Sequence, residues 1–165
     1  MMDEVDRLVA AWSRERPDLD TAPMQVWSRI SRLAQLLDAA RARAYSAQDL
    51  QVWEFDVLAA LRRAGEPYRL TPGQLINQTH VTSGTMTNRV VRLVERGLVS
   101  RTANPADGRG VLVQLTAEGR SRVDAALADL VRSEEELVGA LPADERATLA
   151  AILRKLLIAQ ETRAR

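Results

Sequence analysis

The stretch from Leu70 to Leu115 constrains this chain more than any other. Thr71 is a good N-cap, Pro72 suits the first helical position, and Gln74 completes a capping box. Leu75 and Ile76 supply the apolar side of a short helix. A turn is expected near His80-Val81, and Thr82 or Ser83 caps a second helix. At ~100° per residue, Met86, Val90, Leu93 and Val94 fall on one side and are expected to face the core. Gly84, Asn88, Arg92 and Glu95 fall opposite, and Gly97 is placed to end the helix. Val99, Arg101 and Ala103 then alternate with Ser100 and Thr102. Val111, Val113 and Leu115 alternate with Leu112 and Gln114, so both runs have the period of strands. The segment 104–110 between them is rich in turn formers. The pattern predicts two short helices and a β-hairpin, a winged helix-turn-helix.

The outward half of the second helix is crowded with hydroxyls: Thr82, Ser83, Thr85 and Thr87. A helix that reads a major groove must bring its first turns close, and Ser, Thr, Asn and Arg can bond base edges or phosphates. The free N–H groups at the helix start also favour a phosphate. Thr82, Ser83, Gly84, Thr85, Thr87, Asn88 and Arg92 are therefore the expected DNA-binding residues, with Asp107 and Arg109 at the hairpin tip. A tip arginine can enter a narrow minor groove, and Asp107 can hold it by a charge-assisted bond.

Charge is placed to match. The formal net charge of the 165 residues is only +1, less than a nonspecific polyanion binder carries. From residue 82 to 110, however, five arginines face one glutamate and one aspartate. The absence of cysteine excludes disulfides and thiol-based sensing, and the single His80 cannot build a histidine-rich metal site or a catalytic triad. No cofactor, no metal site and no enzyme activity are expected. With no long apolar run and no signal peptide, a cytoplasmic protein with no membrane partner is expected.

The flanks read as helices. Residues 3–16 carry Val5, Leu8, Val9 and Trp12 on one stripe. A second helix is expected over about 23–44, with Trp27, Ile30, Ala34, Leu37 and Ala44 on its stripe, and a third over about 50–64, with Trp53, Val57 and Leu61 inward. After the hairpin, Thr116 caps a long helix to about Gly139, carrying Val123, Leu127, Leu130 and Leu137. A last helix, about 143–162, carries Leu149, Ile152, Leu153, Leu156 and Leu157. These terminal stripes exceed what one small lobe can cover, which points to a homodimer. The expected fold is mainly α with a small β-hairpin wing. Residues 1–49 form N-terminal helices for ligand binding and dimerisation, 50–116 the DNA-binding lobe, and 117–165 the C-terminal dimerisation helices.

The run 82–101, followed by Asp107-x-Arg109-x-x-x-Val113-x-Leu115-Thr116, resembles the MarR family of bacterial transcription regulators. Gly108 and Gly110 stand beside Arg109 where members often have a second arginine. The resemblance implies a homodimer on a pseudo-palindromic double-stranded DNA operator, most simply as a repressor, released by a small-molecule effector. One branch adds an N-terminal helix and responds to urate, and helix 3–16 resembles that addition. The branch's tryptophan, aspartate and two arginines match Trp12, Asp56, Arg89 and Arg101. Taken alone, Trp12 suits a planar ring and the arginines an anionic oxygen. Trp12 equally completes an apolar stripe, Asp56 can form an ion pair with either arginine, and Arg89 can meet a phosphate. The rival reading is a winged module that binds protein without reading DNA.

Overall fold

The computed structural model describes residues 2–104 and 110–163. Its elements run α1 (Glu4–Glu15), α2 (Met24–Ser46), α3 (Val52–Arg63), β1 (Arg69–Leu70), α4 (Pro72–Thr79) and α5 (Ser83–Glu95). They continue with β2 (Val99–Ala103), β3 (Val111–Leu115), α6 (Ala117–Val138) and α7 (Ala143–Arg163). The strands form one antiparallel sheet in the order β1-β3-β2, with Leu70 opposite Val113 and Val99 opposite Leu115. β1 is an addition to the expected hairpin. Two residues are too few to show an alternation, and only pairing with β3 reveals them.

Local chemistry sets the boundaries of the lobe. At α4, the Thr71 hydroxyl accepts from Gln74 N at 3.2 Å while Thr71 N donates to Gln74 Oε1 at 2.8 Å, the reciprocal box expected from the sequence. His80 closes α4 in the left-handed region with φ 53°. Thr82 caps α5, accepting from Thr85 N at 3.3 Å, and Gly97 takes φ +68° just past the helix end. Thr116 then joins the exit of α5 to the entry of α6: its hydroxyl donates to the Gly97 carbonyl at 2.8 Å and accepts from Gly119 N at 3.0 Å.

One hydrophobic core lies under α3, α4, α5 and the sheet. Val57, Leu58, Leu61, Leu75, Met86, Leu93, Leu98 and Val113 are fully or almost fully buried in it. Tyr45 stacks on Phe55 with centroids 4.0 Å apart, joining α2 to α3. Val94 departs from expectation: at 38 % exposed it is not core. Met86, Val90 and Leu93 already complete the narrow stripe that α5 can bury. Leu8 and Trp12 also face outward in the single chain, where α1 buries only Val5 and Val9 against α2. α7 buries none of its described residues, leaving Leu149, Ile152, Leu153, Leu157 and Ile158 open.

An ion-pair cluster ties the end of α5 to its surroundings. Glu54, only 2 % exposed, accepts from Arg96 Nη1 at 2.5 Å and from Gln51 N at 2.8 Å. Arg96 Nη2 donates to the carbonyl and the carboxylate of Asp49, both at 2.6 Å. The same carboxylate accepts from Arg122 Nη1 of α6 at 2.8 Å. A buried carboxylate is tolerated when paired and hydrogen-bonded in this way.

Candidate nucleic-acid interface

The outer face of α5 is polar and exposed. Thr82, Ser83, Gly84, Thr85, Thr87, Asn88 and Arg92 are all exposed, while Met86, Val90 and Leu93 bury the opposite side. The hydroxyls are pre-set by local bonds. Thr82 and Thr85 share a hydroxyl contact at 2.9 Å, and the Thr87 hydroxyl donates to the Ser83 carbonyl at 3.0 Å. A Cβ added at Gly84 would meet nothing within 4 Å. The protein itself therefore does not require glycine there, and the open space keeps the helix start accessible to a duplex. Asp107 and Arg109, expected at the wing tip, lie outside the described residues.

The four expected effector residues do not line one cavity within a single copy. Trp12 is 49 % exposed on α1. Asp56 lines a cavity of about 450 Å³ between α2, α3 and α6, with Asp38, Arg41, Tyr45 and Phe55. Arg89 lines a separate cleft of about 270 Å³ with Trp53, Thr85, Asn88 and Arg92. Arg101 lines a third, of about 200 Å³, with Pro72, Thr87 and Val111. Trp12 lines none of these three. Arg101 is exposed, because β2 borders the sheet and its residues past Ser100 leave the core.

Asp56 and Arg89 are nevertheless electrically linked. Burial pushes the Asp56 carboxyl above the usual range even though its side chain still reaches solvent. The positive charges of Arg89, Arg41 and Arg63 pull it back down. No Asp56–arginine ion pair forms among the described residues; the buried pair is Glu54–Arg96 instead. The aromatic ring beside Arg89 is Trp53, whose centroid lies 5.6 Å from the guanidinium carbon. The sequence reading missed Trp53 because it counted the ring as core. It missed Glu54 and Arg96 because a glutamate inside an apolar helix and an arginine 42 positions later carry no shared local pattern.

This arrangement defines a class of protein: a winged helix-turn-helix unit on a helical body, with the recognition helix presented outward. The sequence model of the MarR family matches residues 48–110. The HTH-type transcriptional regulator PecS of Dickeya dadantii is 36% identical over 153 residues, covering 93% of this chain and 92% of PecS. A mutant MarR from E. coli complexed with operator DNA superposes with a TM-score of 0.67 at 31% identity, covering 88% of this chain and 97% of that one. BpsR of Bordetella bronchiseptica, whose DNA binding is regulated by 6-hydroxynicotinic acid, superposes at 0.64 with 28% identity, covering 79% and 91%. The chain belongs to the MarR family and is a DNA-binding transcriptional regulator. Among the described residues no helix is long and apolar enough to cross a membrane.

Proposed function

We propose that the chain acts as a homodimeric repressor that sits on a pseudo-palindromic operator and leaves it when a small aromatic or urate-like anion binds. The observation that carries this reading is the wholly exposed polar face of α5, from Thr82 to Arg92, backed by a buried apolar stripe. Such a face suits the major groove, with Thr82, Ser83, Gly84, Thr85, Thr87 and Asn88 approaching base edges and phosphates and Arg92 pairing with a phosphate. Asp107 and Arg109 take the wing-tip role at the minor groove.

Two copies are supported by the outward leucines and isoleucines of α7. Each apolar side chain that a partner buries contributes roughly 1.5–3 kcal/mol. Two-fold symmetry then places the two α5 helices on half-sites about one helical turn apart. The effector residues are Trp12, Asp56, Arg89 and Arg101. The charge of Arg89 already acts on Asp56 without an ion pair, so an anion that draws Arg89 away would change that balance and shift α5. Trp12 and Arg101 join them through closure or through the second copy. The BpsR ligand, an aromatic acid, is of the same chemical class.

Mobility shift on the region upstream of the chain's own gene tests both halves. Binding should weaken 5–150-fold on titration with urate or 6-hydroxynicotinate, the range of ordinary coupling between sites. Trp12→Ala, Asp56→Asn and Arg101→Ala should blunt that response. Unchanged binding in the wild type at saturating anion removes the effector role while leaving operator binding in place.

A further inference from the structure

We propose that Asp49 is a positioning residue for operator binding: its carboxylate clamps the end of the recognition helix to α6 and so sets the spacing at which two copies read DNA. This rests on the homodimeric reading above. Asp49 Oδ2 accepts from Arg96 at 2.6 Å and from Arg122 at 2.8 Å. Arg96 is the C-cap of α5 and Arg122 belongs to α6. Arg96 cannot drift, because its other nitrogen is held by buried Glu54 at 2.5 Å. Arg122 also donates through Nε to Glu118, one turn earlier on α6, at 2.7 Å. The chain of contacts is therefore unbroken: α3 to Arg96, Arg96 to Asp49, Asp49 to Arg122, Arg122 to α6.

The backbone at Asp49 supports a role for the side chain. It takes φ 53° in the turn between α2 and α3. Glycine adopts that conformation at less cost but brings no carboxylate. Asp49 is also 81 % exposed, so no packing requirement selects it. What an aspartate supplies there is an acceptor shared by two arginines from different elements.

The position of this clamp matters to a two-fold reader. α6 joins the helical body, whereas α5 enters the groove. A small change in the angle between them is doubled across the dimer axis and alters the distance between the two recognition helices. Removing the clamp should loosen that distance without removing any contact to DNA, since both terminal nitrogens of Arg96 are taken by Glu54 and Asp49.

The test is operator titration of the full chain against duplexes whose half-sites are moved apart or together by one or two base pairs. Wild type should prefer one spacing sharply. Asp49→Ala should bind the best spacing about fivefold more weakly, the low end of coupling between sites. It should discriminate less among spacings and keep the wild-type salt slope, because no phosphate contact is lost. Arg122→Met, which leaves the buried Glu54–Arg96 pair intact, should give the same flattened profile, and the double variant should be no worse than either alone. A spacing profile identical to wild type in both variants, whatever their melting temperatures, overturns the clamp. A wild type indifferent to spacing overturns the two-copy reading and the clamp with it.

Discussion

Asp49 and Asp56 lie seven positions apart, and their surroundings push the two carboxyls in opposite directions from the ordinary value. The Arg122 hydrogen bond and the charge of Arg96 hold the Asp49 carboxyl below its usual range. Its contribution to stability is therefore present above that range and is lost as pH falls through the depressed value. Asp49→Asn should melt below wild type at neutral pH, and the gap should close in acid; a gap independent of pH would contradict the pairing. Asp56 is raised, chiefly by burial, so its contribution is present in acid and lost as pH rises through the raised value. Asp56→Asn should accordingly melt at or above wild type at neutral pH, with the difference vanishing in acid, as thermal melts between about pH 3 and 7 would record. The outward set on α5 was legible at this scale because a helix with one apolar stripe must turn its other residues to solvent. The neighbours of Arg89 were not: whether Trp12 or Trp53 meets it depends on how α3 packs on α5, which no local period encodes.

At the scale of elements, the joint between β3 and α6 leaves no room for a side chain at Gly119. A Cβ at Gly119 would sit 2.1 Å from the Leu98 carbonyl oxygen, which is backbone and cannot swing aside. Gly119→Ala should cost about 1–3 kcal/mol, as overpacking does. It should lower the denaturant midpoint with little change in slope. The helices were readable from caps and stripes: Thr71 and Thr116 cap as the sequence implied, and of the two candidates at α5 it is Thr82 that caps. The ends were less so. α2 runs to Ser46 rather than Ala44, because the chain turns only where Asp49 enters the left-handed region. Val94 and Trp12 lie at the borders of their stripes, where periodicity alone does not decide burial.

For the whole molecule, α7 leaves Leu149, Ile152, Leu153 and Leu157 open, and the proposed homodimer would cover them. Leu153→Glu should place a charge in the shared interface, shift light-scattering mass from two copies to one, and weaken operator binding in proportion. A dimer that survives this change would move the interface elsewhere. The central claim is that the outer face of α5 meets DNA in two copies, and the salt dependence of operator affinity tests it most directly. Each neutralised phosphate contributes about 0.9 to the logarithmic slope, so Arg92→Ala should make it shallower by about 1.8 for a two-copy complex. An unchanged slope and unchanged affinity in Arg92→Ala would show that this face does not touch the duplex.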